Sequence, residues 1–249
     1  MATVRQLFAR LGLSLAVLVG WSTAAHAQLI VDRLIVDFMP GDPAREDILL
    51  QNQSKDRYYI TITPAEVVKP GQPGSTEVTK TNPEDLGLLV TPNRLILEPG
   101  TSRSIRVVSL NGALTTDRIY RVLIEPQIGA IVDQPSNDKT VALKILTAYE
   151  ALVIVRPSNP APHLVASRTA TGLSLQNTGN SNTLIYDGLA CPAATPAAGT
   201  AAAKPACAKI SAHRMYAGNT WQVPLPHPTD KVTFVVQTGE AEDPQQVSY

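Results

Sequence analysis

Cysteine and histidine are the side chains best suited to redox, metal or nucleophilic chemistry, and this sequence holds few of them. The only cysteines are Cys191 and Cys207, and the histidines beyond the N-terminal segment are His163, His213 and His227. None of these histidines has ligand spacing to another histidine or to a cysteine. The sequence also lacks a serine-centred elbow, an HExxH motif and a phosphate-cradling glycine loop. We therefore expect no enzyme, no cofactor and no metal site, and we look for binding.

The strongest binding signal is the stretch Thr140–Pro157, TVALKILTAYEALVIVRP. Its apolar residues fall on both alternating faces, and only Lys144 and Glu150 interrupt them. A strand of this length would span about 50 Å, far more than a common strand. Part of it is therefore expected to pass beyond its own core and offer apolar side chains to a partner. A helix is the alternative, but the β-branched residues and the Arg-Pro end favour a strand.

The first 27 residues have the pattern of a secretory signal peptide. Arg5 and Arg10 precede the apolar run Leu11–Gly20, which is too short to cross a bilayer, and Ala25-His26-Ala27 is a cleavage site. We expect cleavage after Ala27 and no membrane insertion of the mature chain. An uncleaved N-terminal anchor is the alternative.

Because exported proteins reach an oxidising compartment, we expect Cys191 and Cys207 to form a disulfide. A free thiol pair or a metal site is the alternative. Between them lies an Ala/Pro-rich insert at 192–206, too poor in large apolar residues to form a core of its own.

The charge balance gives no reason to propose nucleic acid as a partner. The chain has 21 basic and 21 acidic residues, and removal of the signal takes away two arginines and no acids. The mature chain is therefore close to neutral, without a long run of one charge.

The rest of the mature chain predicts an all-β protein with two sandwich domains. About eight short segments of β-propensity precede the long strand, and no convincing amphipathic helix is present. The Pro-rich linker 157–162 follows, and the pattern "LQN, polar turn, strand" then recurs: LQN at 50–52 is repeated at 175–177. We place the first domain at 28–157 and the second at 158–249, with a polar tail from Thr238 that is expected to fray.

Several motifs in this order resemble the periplasmic pilus-assembly chaperones of the chaperone–usher pathway, the PapD-like family. They are Val31-Asp32-Arg33, Leu89-Val90-Thr91-Pro92, Leu97-Glu98-Pro99-Gly100, Ile119-Tyr120-Arg121-Val122, Glu125-Pro126, Arg156-Pro157 and Leu175-Gln176-Asn177. Each motif alone is weak, but together they cover nearly the whole mature chain.

The resemblance implies two immunoglobulin-like domains in an L-shaped arrangement and a periplasmic location. It also implies that the chain lends a strand to pilus subunits and delivers them to an outer-membrane usher. The donated side chains would be Val141, Leu143, Ile145 and Thr147. The alternative for these side chains is that they belong to the chain's own core.

One departure from the family concerns its anchor for the terminal carboxylate of the bound pilus protein. The matching positions carry Ile35 and Leu152 instead of basic residues. We expect at least two of Arg33, Arg121 and Lys144 to make this contact instead. The alternative is that these three are solvated charges on strand faces.

Arg156 stands beside Pro157 at the domain boundary, where a buried guanidinium could join carboxylates of both domains. Asp117 and Asp230 are the expected partners, and a solvated arginine at a strand end is the alternative. For the whole chain, the alternative to a chaperone is a two-sandwich surface or adhesive protein, with the long strand as an internal hinge.

Overall fold

The computed structural model describes residues 28–129, 144–192, 207–239 and 243–249. Regular structure in these ranges is almost entirely β-strand, so the predicted all-β fold is confirmed. The described ranges contain one short helix, α1 (Pro83–Leu86), which the side chain of Asn82 caps and Gly87 ends at a φ of +79°. None of the described helical structure is long and apolar enough to cross a membrane.

The described residues before Pro157 form ten strands. They are β1 (Leu29–Val31), β2 (Ile35–Phe38), β3 (Arg45–Asn52), β4 (Tyr58–Val68), β5 (Thr76–Val78), β6 (Leu88–Thr91), β7 (Arg94–Leu97), β8 (Ser102–Ser109), β9 (Arg118–Gln127) and β10 (Tyr149–Val155). One sheet has the order β1-β3-β8-β6, and the facing sheet has the order β2-β10-β9-β4-β5, with β7 also paired to β4. Apolar side chains from both sheets, among them Tyr58, Leu97, Ile105 and Val153, make one buried core.

The segment Gln28–Phe38, QLIVDRLIVDF, reads in the sequence as a single first strand, and this prediction is wrong because it forms two strands in two sheets. β1 pairs antiparallel with β3, whereas β2 pairs parallel with β10. The chain changes sheets at Asp32, whose carboxylate accepts the backbone N–H of Leu49 at 2.7 Å. Side-chain alternation is similar on both sides of this bend, so the pattern could not reveal it.

The long strand predicted over Thr140–Pro157 is shorter than expected. β10 begins only at Tyr149, paired with Ile124 of β9, and residues 144–148 have no strand assignment. Continued by two residues, this register places Thr147 opposite Pro126, which has no N–H to offer a neighbouring strand. Residues 140–143 lie outside the described ranges.

The described residues after Pro157 form a second sandwich of eight strands. They are β11 (Leu164–Thr169), β12 (Gly172–Asn177), β13 (Thr183–Cys191), β14 (Ala208–Ile210), β15 (His213–Met215), β16 (Thr220–Pro224), β17 (Lys231–Gln237) and β18 (Gln245–Ser248). One sheet has the order β11-β12-β16, and the other has the order β14-β13-β17-β18, with β15 also paired to β13. Their inner faces enclose a separate core around Leu175, Met215, Val232 and Phe234.

Two predictions about this half have different outcomes. The Cys191–Cys207 disulfide is confirmed; it joins the end of β13 to the start of β14, with Cα atoms 4.3 Å apart. The predicted fraying of the tail is wrong for its last residues, because β18 (Gln245–Ser248) pairs antiparallel with β17; residues 240–242 lie outside the described ranges. Most of the Ala/Pro-rich insert, residues 193–206, lies outside the described ranges.

Candidate functional site: the segment before β10 and the junction behind it

The segment Lys144–Ala148 leads into β10 and carries an unusual exposed side chain. Ile145 is 75% exposed, by far the largest value among the large apolar residues of the described ranges, and Thr147 is also exposed. Leu146 packs against the first core, and the hydroxyl of Tyr149 donates to the carbonyl of Leu29 at 2.7 Å. The segment is thus held on one side and open on the other. The other two predicted donor residues, Val141 and Leu143, lie outside the described ranges.

The three candidate anchor cations are not gathered at one place. Lys144 forms an ion pair with Asp56, in the turn before β4. Arg121, on β9, forms an ion pair with Glu150 and lies 3.5 Å from Glu77.

Arg33 lies apart from the other two. It pairs at 3.0 Å with Glu46 of β3, in the opposite sheet. The spacing of two residues predicts that Arg33 and Ile35 share a strand face. This prediction is wrong, because the chain bends between β1 and β2. The expectation that Lys144 shares a strand with Leu152 is also wrong, because β10 starts after Lys144.

Arg121 is the candidate that lies beside Ile35 and Leu152, the two apolar residues at the family's basic positions. Leu152 of β10 pairs with Ile35 of β2 on one side and with Arg121 of β9 on the other. These three residues form a row across the outer face of the sheet, where Ile35 is 40% exposed. Two residues further along β10, Ile154 pairs with Ile119 of β9 on the same outer face, and both side chains are buried. Here the second sandwich approaches the sheet, since Ile119 and Tyr216 line the same pocket.

Arg156, directly after β10, lies between the two sandwiches and is buried. Its Nε and Nη2 donate to the two carboxylate oxygens of Asp37 at 2.7 and 2.8 Å. Its Nη1 donates to the Ser181 hydroxyl at 2.8 Å and to the Asn182 carbonyl at 3.0 Å, and Nη2 also donates to the Thr238 carbonyl.

The carboxylate that binds Arg156 is therefore Asp37, and the prediction of Asp117 and Asp230 is wrong. Asp117 reaches the same network indirectly, through the Ser181 hydroxyl and the backbone and side chain of Asn182. Asp230 lies elsewhere, beside His227. The parallel pairing of β2 with β10 is what brings Asp37 to Arg156, and it could not be seen without the sheet register.

A second arginine of this junction, Arg214 on β15, was missed by the sequence analysis. Its Nη1 donates to the side-chain oxygen of Asn182 at 2.6 Å, and burial lowers the pKa of its guanidinium. It lines a cavity of about 210 Å³ together with Ile35, Asp37, Leu184, Gln237, Thr238 and Gly239. No motif surrounds Arg214 in the sequence, so only the fold shows its position.

The loop between β4 and β5 makes a separate contact between the sandwiches. Gln72 donates to the side-chain oxygen of Asn219 at 2.8 Å, and Asn219 donates to the carbonyl of Pro70 at 2.9 Å. Gly71 has a φ of +68°, and a Cβ at this position would lie 2.5 Å from the Asn219 amide nitrogen. A glycine is needed here on both counts.

The described residues contain no group of three or more His, Cys, Asp or Glu side chains that could hold a metal ion.

No protein-family model matches the chain. Two curated proteins of Escherichia coli are similar to it, and both bear the names of fimbrial subunits: one of CS1 fimbriae, 32% identical over 149 residues, and one of CFA/I fimbriae, 29% identical over 159 residues. These matches cover 59% and 63% of this chain, and 62% and 65% of the two relatives. The chain thus matches less than two thirds of the length of either relative.

Similar solved structures extend over most of the chain. The class 5 fimbriae chaperone CfaA has a TM-score of 0.63 and 24% identity, covering 89% of this chain and 97% of its own. A Salmonella enterica structure of the SafA pilin in complex with the SafB chaperone has a TM-score of 0.58 and 13% identity, covering 91% of this chain and 99% of the matched one. The predicted resemblance to pilus-assembly chaperones is confirmed at the level of the fold.

Proposed function

We propose that this protein is a periplasmic chaperone that lends a strand to fimbrial subunits and delivers them to an outer-membrane usher. The observation that carries the proposal is the segment before β10, where Ile145 is 75% exposed and residues 144–148 pair with no strand. The fold shared with fimbrial chaperones supports it. The proposed role is binding, without catalysis and without a cofactor.

Strand addition would use both the backbone and the side chains of this segment. Its backbone leads directly into β10 and would form a ladder with a fimbrial subunit that lacks a strand. Ile145 and Thr147, two residues apart, would enter the groove of that subunit, and Val141 and Leu143 would extend the same alternation. Full burial of an isoleucine side chain contributes about 1.5–3 kcal/mol, so the side chains would add to the energy of the backbone ladder and help to offset the entropic cost of association.

The register of a donated strand needs an anchor, since a slip of one residue turns every side chain to the other face. We retain Arg33, Arg121 and Lys144 as the candidates for that anchor and expect at least two of them to contact the fimbrial subunit. The positions of Arg121 and Lys144 support these two, because they lie near the two ends of the 144–152 stretch. Each would exchange its present carboxylate partner for one from the captured protein.

The donor segment is tested by co-expressing the tagged protein with a fimbrial subunit gene from its own neighbourhood. Ile145→Glu should abolish subunit co-purification and leave the melting temperature of the free protein nearly unchanged. The added carboxylate is solvated in the free protein but would be buried unpaired in the complex. Val165→Glu, at another exposed apolar position of a strand (44%), is the matched control and should retain the subunit. Undiminished subunit co-purification with Ile145→Glu, or unfolding of that variant, would contradict the donor role.

The anchor is tested by reversing the charges of Arg121 and Lys144 together. We expect loss of co-purification with little change in melting temperature, because both ion pairs are solvent-accessible. Full co-purification with the double variant would rule out these two residues as the anchor.

A second candidate is a structural component of a fimbrial fibre, which the names of the two curated relatives favour. Fractionation separates the two functions. A chaperone should be recovered from the periplasm in complex with its captured subunit, and it should be missing from sheared fibres. A structural component should be incorporated into the fibre.

A further inference from the structure

We propose that Pro126 of β9 is a positioning residue that keeps the backbone of residues 144–148 free for the captured chain. This inference rests on the proposed function, since it explains how the donor segment stays available. The observations that carry it are the register between β9 and β10, the directions of two backbone N–H groups and the sequence of the segment.

The sequence of residues 144–148, KILTA, does not explain why β10 begins as late as Tyr149. It contains no glycine or proline, and isoleucine and threonine favour a strand. β9 also continues past the start of β10, since it runs to Gln127, which pairs with Tyr59 of β4. A neighbouring strand is therefore present, and we look for the obstacle to a longer ladder in β9.

A backbone N–H of β10 shows which of its pairs with β9 exchange hydrogen bonds. The N–H of Leu152 donates to the carbonyl of Leu34 at 2.8 Å, so it points away from β9. Leu152 and Arg121 are therefore a non-hydrogen-bonded pair, and hydrogen-bonded pairs alternate with such pairs along the ladder. By this alternation, the pair of Tyr149 with Ile124 is hydrogen-bonded.

The pairing of β9 with β4 leads to the same alternation. The N–H of Ile62 donates to the carbonyl of Asn93 at 2.8 Å, away from β9, so Ile62 and its partner Ile124 are a non-hydrogen-bonded pair. The backbone N–H and C=O of Ile124 therefore face β10. Pro126 lies two residues further along β9, so its nitrogen and its carbonyl also face that side, where the register places Thr147.

A proline at this position removes one of the two hydrogen bonds that the next pair would make. Hydrogen-bonded partners in an antiparallel ladder exchange two N–H···O bonds. Because Pro126 has no N–H, the carbonyl of Thr147 would find no donor in β9, and the proline ring would occupy the place of the missing hydrogen. The ladder ends at Tyr149 for this reason, and within the described ranges residues 144–148 pair with no strand.

A strand that enters a groove uses both edges of its backbone, since it meets a neighbouring strand of the subunit on each side. Pairing of residues 144–148 with β9 would take up one of these edges and compete with capture. The apparent affinity for the subunit would then fall in proportion to the fraction of molecules whose segment is free. Pro126 thus keeps the donor segment from closing onto the chain's own sheet.

The first test is hydrogen–deuterium exchange of the free, full chain with Pro126→Val. Valine restores the N–H and suits a buried strand position. We expect β10 to extend through Thr147 towards the pair of Ile145 with Ile128, so exchange of the Ile145 and Thr147 amides should slow by at least about fivefold, the effect of one net hydrogen bond. The melting temperature should stay the same or rise, because a ladder is gained.

The second test is competition for a limited amount of a fimbrial subunit, co-expressed from a gene of the chain's own neighbourhood. The unmodified chain and Pro126→Val carry different tags, and the unmodified chain should recover at least about fivefold more of the subunit. A proline with a structural role alone would lower capture only together with the melting temperature.

Pro64→Val is the matched control. Pro64 lies within β4 of the same sheet, two residues after Ile62, so the restored N–H points away from β9. This variant should leave both the exchange at Thr147 and the recovery of the subunit unchanged.

Unchanged exchange at Ile145 and Thr147 in folded Pro126→Val, or equal recovery of the subunit by both chains, would overturn the proposal. If Pro126→Val does not fold, Pro126→Ala takes its place, because alanine also restores the N–H. Ile145→Glu keeps the two proposals separate. If Ile145→Glu loses the subunit while Pro126→Val recovers as much as the unmodified chain, the chaperone role stands and the role of Pro126 fails. If Ile145→Glu retains the subunit, the proposed function itself fails.

Discussion

The turns after β3 and after β12 are two copies of one design with different surroundings. In both, a buried asparagine ends an LQN sequence. Asn52 donates to the carbonyls of Asp56 and Leu97, and Asn177 donates to those of Ser181 and Met215. In both, the side-chain oxygen accepts the N–H two residues later. The recurring motif therefore fixes the turn itself.

The residues that follow each asparagine make the difference. In the first turn, Asp56 pairs with Lys144, and their side chains are 41% and 26% exposed. In the second turn, Ser181 and Asn182 donate to or accept from Asp117 and Arg156, and the side chain of Arg156 is fully buried.

The two turns thus hold the two ends of the stretch 144–156 with different strength. Lys144 is at the open end and Arg156 is at the buried end. An exposed ion pair contributes about 0–1 kcal/mol, whereas disrupting a buried one costs several times as much. The stretch is fixed firmly where it meets the second sandwich and weakly at Lys144, where the proposed donor segment begins. The variants below test this difference in strength between the contacts of Lys144 and those of Arg156.

The largest effect is expected at the buried end. Arg156→Met should lower the free energy of unfolding by about 3–5 kcal/mol, because it leaves Asp37 buried without a cation. It should also change the angle between the sandwiches in small-angle scattering. Arg118→Met is the control: Arg118 binds Glu66 within the first sandwich, so this variant should lose stability without a change in scattering. An unchanged angle in a less stable Arg156→Met protein would show that the arginine does not set the angle.

An intermediate effect is expected when either turn loses its asparagine. Asn52→Ala and Asn177→Ala should each cost about 2–4 kcal/mol, since each removes several buried hydrogen bonds. Because Ser181 holds Arg156, only Asn177→Ala should also alter the scattering curve. Denaturant unfolding and scattering of both variants measure this, and an equal effect on the angle would contradict the comparison.

The smallest effect is expected at the open end. Asp56→Asn should change the stability by less than about 1 kcal/mol, and the difference should disappear at high salt. The backbone carbonyl of Asp56 still accepts from Asn52, so the turn remains. Capture of the fimbrial partner should persist, because Lys144 is released rather than removed. A large loss of stability in chemical unfolding would mean that both ends are held equally firmly.

The parts of the fold that were predicted correctly are those governed by local pattern. The sequence KVTFVVQ by itself predicts a strand over Lys231–Gln237, and β17 has these bounds. The LQN repeat likewise predicted a second sandwich. The points where the chain changes sheets, at Asp32 and at Thr91-Pro92, could not be predicted, because the alternation of side chains continues through them. β18 was missed because its pairing is made by backbone groups of a polar sequence.

The candidate site was predictable to a similar extent. Ile145 is exposed and Arg121 lies beside Leu152, but the donor role of the first and the anchor role of the second stay predictions. The partners of the cations could not be predicted, since each depends on sheet register or on a loop. Arg214 carries no local signal at all, and its significance comes from the contact between two sandwiches.

The parallel pairing of β2 with β10 has a consequence for how the chain folds. It brings together strands from the two extremes of the first sandwich, and Asp37 and Arg156 are 119 residues apart in sequence. Such a pairing must close a very long loop, and non-local contacts of this kind slow folding. Until β10 arrives, β2 has no partner in its sheet, and β9 has an open edge on the side opposite β4. When the N-terminus emerges first, the open edge of β9 is exposed to aggregation until β10, which follows the proposed donor segment, completes the sheet.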